Sequence, residues 1–193
     1  MNWLATFWKA CLRKRHAKGF GIHSPYAFRF VNDVINPGRY GYYAYKEIDF
    51  NEAIEAKSSA KAKWLIRIMI FLKTRRVILL GPGTDNLKKE PKILQAIKTA
   101  CQALKIDLLE TSSHNIIDFR EGDLMIIPNG DNNPRMVNEA ICHFVAILAF
   151  NSEGELHSKL ISRIPNGLLL SAPDKLLLIP RREMEYTKYE IDF

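Results

Sequence analysis

Residues 77–80 are Val-Ile-Leu-Leu, a continuous apolar run entered from Lys73, Arg75 and Arg76 and left at Gly81-Pro82-Gly83. A run this short, closed by a glycine turn, predicts a strand buried on both faces, as at the centre of a parallel sheet. Downstream the pattern alternates. A 3.6-residue apolar period predicts a helix over residues 91–104, and strand-like runs follow at 106–110 and 124–127. A second helix is expected over 134–142, a strand over 144–149, and a helix from near Gly154 that stops before Pro165-Asn166-Gly167. Three more strand-like runs, 168–171, 175–179 and 186–191, close the chain, and nothing after Pro173 leaves room for a full helix. A strand–helix series ending in a hairpin predicts an α/β fold: a doubly wound, mostly parallel, Rossmann-like sheet with an antiparallel C-terminal hairpin at its edge.

The first 73 residues read differently. Trp3, Leu4, Phe7, Trp8, Cys11 and Leu12 recur at helical spacing over residues 3–16, with Lys9, Arg13, Lys14 and Arg15 between or beyond them. Ser24 followed by Pro25 is a helix start, a hydroxyl cap and then proline at the first helical position. That helix would set Phe28, Val31 and Ile35 on one face and stop at Asn36-Pro37-Gly38. Tyr40, Tyr42, Tyr43 and Tyr45 form an aromatic cluster that reads as a packing seam, with a stacked flat ligand as the alternative. A long helix over residues 50–73, apolar at Trp64, Leu65, Ile68, Met69 and Leu72, delivers the chain to the strand at Val77. The expected organisation is a basic helical extension over 1–73 and a sheet domain over 74–193.

Charge sharpens that division. Residues 1–76 carry 15 Lys+Arg against 5 Asp+Glu, whereas residues 77–193 carry 13 against 16. The basic excess belongs to the helical part, so that part is expected to dock on the acidic half, on a second copy in a homo-oligomer, or on something anionic. Contact with an anionic membrane surface would run through residues 9–18. There is no recognisable nucleic-acid-binding module. The apolar stretch 64–72 is broken by Arg67 and is far shorter than the ~20 residues of a membrane span, and the basic cluster follows the first apolar residues, the reverse of a secretory signal. Three cysteines, Cys11, Cys101 and Cys142, stand far apart without Cys-x-x-Cys spacing, which points to a reducing cytoplasm rather than a disulfide framework.

Candidate chemistry centres on Gly81-Pro82-Gly83-Thr84. As a phosphate loop it fails, because Asn86 and Leu87 stand where the Gly-Lys pair belongs. There is no Gly-x-Ser-x-Gly elbow, and Glu110, His114, His143 and His157 lack zinc-ligand spacing.

The order of elements resembles the class I S-adenosylmethionine-dependent methyltransferase fold. Gly21-Ile22-His23-Ser24-Pro25-Tyr26, with Phe28 and Val31, resembles the N-terminal signature of a bacterial family of predicted O-methyltransferase-like proteins, and the run 171–193 is similar to that family's closing hairpin. The resemblance implies S-adenosylmethionine as cofactor, held by Gly81, Gly83 and Thr84 after the first strand and by Glu110 at the end of the second. It puts His23 or Asn129 near a small-molecule acceptor. The chain also departs from the family pattern, acid-x-Gly-x-Gly-x-Gly: Leu79 takes the acid's place and Asp85 the third glycine's. Pro128-Asn129-Gly130 follows the third strand, and Ala149-Phe150-Asn151 stands where relatives carry paired aspartates, so no metal site is expected. The expectation is a methyltransferase-like protein with a diverged cofactor site; the alternative is a non-catalytic binding or assembly module that uses the basic N-terminal helices.

Overall fold

The computed structural model describes residues 3–38, 45–46, 56–81, 91–112, 117–128, 134–150 and 166–193. The helix expected from Gly154 and most of the tyrosine cluster lie outside them. Five α-helices are described: α1 (Trp3–Ala17), α2 (Pro25–Phe30), α3 (Ala56–Leu72), α4 (Pro91–Leu104) and α5 (Pro134–Cys142). The strands are β1 (Arg76–Gly81), β2 (Asp107–Ser112), β3 (Asp123–Ile127), β4 (Ala146–Phe150), β5 (Asn166–Ser171), β6 (Lys175–Glu185) and β7 (Thr187–Glu190).

The strands form one 7-stranded sheet in the order β2-β1-β3-β4-β6-β5-β7. β1 pairs in parallel with β2 and β3, β3 with β4, and β5 with β7. Strand β6 is reversed, antiparallel to β4 on one side and to β5 on the other. The mixed sheet is compatible with a Rossmann-like fold. The reversed strand, however, lies inside the sheet and not at the edge where the pattern placed it. Leu176, Leu177, Leu178 and Ile179 are all buried, and so apolar a strand needs a neighbour on each side and cover on each face. The short, half-polar β7 suits an edge better.

Alternation along the strands divides the core in two. Val77, Leu79, Leu124, Ile126, Leu148 and Leu177 face a cluster built with α2, α3 and α4. Ile78, Leu80, Met125, Ile127, Ile147 and Leu178 face the other side, where Met136, Val137, Ala140 and Ile141 of α5 meet them with Ile117 and Phe119. The thiol of Cys101, on the inner face of α4, is pushed up to about 12 by burial, which leaves it neutral and a poor nucleophile.

The helices before β1 belong to the same core. Ser24 caps α2 by accepting from the Ala27 amide, with Pro25 at the first turn. Helix α2 passes into a π-helical turn, Val31–Ile35. The inward stripe is Ala27, Phe30, Val31 and Val34, all buried, whereas Phe28, expected inside, is exposed. Phe30 meets Phe71 of α3 edge-on at 5.3 Å, and Arg67 Nε donates to the Val34 carbonyl at 2.7 Å. Helix α1 docks on the far edge of the sheet: Arg13 Nε donates to Asp192 at 3.1 Å, and His16 Nδ1 donates to the Glu190 carbonyl at 2.7 Å. The basic third is therefore built into the sheet domain by its contacts.

Candidate functional site

From β1 the chain moves to β2 on one side, and from β3 it moves to β4 on the other. The crevice between the carboxyl ends of β1 and β3 is thus a topological switch point, where open α/β sheets hold ligands. Gly81 closes β1 there, level with Ser112 of β2, and the buried Pro128 follows the end of β3. Gly83, Thr84 and Asn129 lie outside the described residues.

Glu110 does not reach this level. Strand β2 runs two residues further, to Ser112, and Glu110 pairs with Leu79 rather than with Gly81. At about 3.3 Å per residue the offset is roughly 7 Å along the strand. Alternation puts Glu110 on the same face as Leu108, which packs with the α3–α4 cluster. Its carboxylate is held there by Lys98 of α4, Nζ to Oε1 2.8 Å. The residue level with the β1 tip is a serine. Among the described residues, then, the fit to S-adenosylmethionine fails at the carboxylate: the glycine end of β1 stands at the switch point, but Glu110 sits on the flank of the sheet, ion-paired. The apolar run before it gave no sign that the strand would continue through Glu110, because Thr111 and Ser112 are polar.

Leu79, in the acid's place, is 1% exposed and packs in the core. Its side chain is part of the sheet's inner packing, not of a loop.

His23 is placed elsewhere. Its amide and that of Ser24 both donate to the Tyr189 hydroxyl at 3.1 Å. Tyr189 lies on β7, five sheet positions from β1, roughly 24 Å at about 4.8 Å per strand. The His23-Ser24-Pro25 segment is thus an anchor between the N-terminal helices and β7, and it is not brought together with Gly81 or Glu110. Tyr189 itself is edge-on to His16, ring centroids 5.7 Å apart. No spacing in the sequence could have linked residues so far apart along the chain.

No protein-family model matches the chain, and no curated protein or solved structure matches it either. Among the described residues no group of three or more His, Cys, Asp or Glu converges as a metal site would require, and no helix is long and apolar enough to cross a membrane.

Proposed function

We propose that this chain is a methyltransferase-like protein whose cofactor site has diverged, with the scaffold kept for binding rather than for methyl transfer. The observation that carries the reading is Glu110, set two residues below the tip of β1 and ion-paired with Lys98. Support for the scaffold comes from the parallel β2-β1-β3-β4 half, the switch point at Gly81 and the β5–β6 hairpin. A ribose needs a carboxylate that accepts from both vicinal hydroxyls at the crevice, and none of the described residues supplies it there.

Calorimetric titration of the full chain with S-adenosylmethionine and with S-adenosylhomocysteine tests this. The expected result is no saturable heat and no thermal shift at millimolar ligand. Micromolar binding that is lost in Glu110→Ala would overturn the reading and restore a working cofactor site.

A second reading, an assembly module, draws on α1. Its inner residues Arg13 and His16 dock on the sheet edge, while Phe7 and Trp8 are 57% and 63% exposed. Adjacent exposed aromatics can seed the kind of contiguous apolar patch that marks an interaction site. Light scattering of a Phe7→Ser/Trp8→Ser double variant checks it. The wild type should be a homo-oligomer and the variant a monomer with an unchanged melting temperature; a monomeric wild type at high micromolar concentration would remove this reading.

A further inference from the structure

A cavity lies at the carboxyl end of β4, on the α3–α4 face of the sheet. Its volume is about 360 Å³, within the range of small-molecule sites. Three aromatic rings from distant parts of the chain line it: Trp64 of α3, Phe150 at the end of β4, and Phe193. The Trp64 ring stands 6.2 Å from Phe150 and 5.9 Å from Phe193. Lys175, at the start of β6, places its ammonium 5.8 Å from the Trp64 centroid and 5.6 Å from that of Phe193. The adjacent Asp174 holds the same ammonium at 2.8 Å. Lys61 also lines the cavity and is exposed.

The polar inventory decides what this cavity takes. Two lysine side chains, Lys61 and Lys175, line the cavity against one acidic side chain, Asp174, so the lining side chains carry an excess of positive charge. A cationic ligand would meet Lys175 already seated over the rings. A neutral aromatic would fill the walls and leave the charge unanswered. An aromatic carrying one anionic group satisfies both: its ring lies against the aromatic walls and its oxygens meet Lys175.

We infer that this cavity is a binding site for a small planar aromatic anion, such as an aryl carboxylate. The inference does not rest on the methyltransferase likeness, because none of these residues belongs to the cofactor set, and it holds whether or not S-adenosylmethionine binds near Gly81.

The probes are 2-naphthoate, the neutral 2-naphthylmethanol and the cationic 2-naphthylmethylammonium, titrated calorimetrically into the full chain. Naphthoate should bind saturably at one site, about tenfold more tightly than the alcohol, and the cation should not bind. Lys175→Met, which keeps the stem and removes the charge, should weaken naphthoate about tenfold. Asp174→Asn acts in the opposite direction: it releases the ammonium from its exposed partner and should tighten naphthoate by roughly twofold. The Asp174 variant alters an exposed turn, so it decides the matter even if Lys175→Met does not fold. Absence of naphthoate binding by the folded wild type would overturn the site. Equal affinities for the three probes, or an Asp174→Asn affinity that is unchanged or weaker, would do the same. Because S-adenosylhomocysteine is titrated separately, failure here and failure of the proposed function give different results.

Discussion

Leu79→Asp is expected to unfold the domain, although it restores the acid of the motif that the β1 loop resembles. Leu79 is 1% exposed and lies between Glu110 on β2 and Ile126 on β3 in register. Its side chain joins Val77, Leu124, Ile126 and Ile97 in the α3–α4 cluster. A carboxylate there has neither water nor a described donor, so the expected loss exceeds about 4 kcal/mol, against a total of about 5–15 kcal/mol for a typical domain. Leu79→Met, close in volume, should cost less than about 1.5 kcal/mol. Urea denaturation followed by circular dichroism separates the two. A folded Leu79→Asp variant with a native midpoint would show that this position opens onto the crevice, and one that also bound S-adenosylmethionine would reverse the proposed function.

The second large effect is expected at the opposite end of the same strands. Asp123, buried at the start of β3, accepts from Arg76 Nε at 3.0 Å, from Arg76 Nη2, and from the Arg120 amide at 2.8 Å. Arg76 opens β1, pairs with Asp123 in register, and donates again to the Asp118 carbonyl at 2.7 Å. This bundle fixes the turn before β3 to the amino end of β1. Asp123→Ala takes both carboxylate acceptors from Arg76 and leaves the Arg120 amide unpaired. Because the guanidinium is part-exposed and keeps the Asp118 carbonyl, the loss should fall at or below the low end of the ~3–5 kcal/mol of a fully buried pair. Asp123→Asn keeps the shape and one acceptor, so it should fall between the alanine variant and the wild type. If Asp123→Ala shifted the urea midpoint no more than an exposed substitution does, water would have to replace the carboxylate at Arg76.

Particular residues show why the fold was more legible than the site. Val77 to Leu80 announced β1 because a strand buried on both faces is apolar at every position. Residues 91–104 and 134–142 announced α4 and α5 because each has one apolar stripe and a proline at its first turn. The interior position of β6 was not legible, since sheet order depends on pairings between distant segments and leaves no local mark. Phe28 was misplaced because two overlapping stripes share Val31, and the one through Ala27, Phe30, Val31 and Val34 is the one that faces inward. Glu110 was assigned to a strand end that the apolar pattern put two residues early. Trp64, Lys175 and Phe193 carried no motif at all; the fold brings them together.

The docking of α1 and of the His23-Ser24 amides on the last strand has a consequence for the order of events during synthesis. Arg13 waits for Asp192, His16 for Glu190, and His23 for Tyr189, separations of 179, 174 and 166 residues. Domains emerge N-terminal end first at about 5–20 residues per second, so α1, translated well before β7, finds its place only after β7 has emerged. Until β7 leaves the ribosome, the exposed Phe7 and Trp8 and the cations of α1 ride on an undocked helix. The growing chain is therefore most open to chaperones, to other copies and to anionic surfaces during that interval, and it closes late.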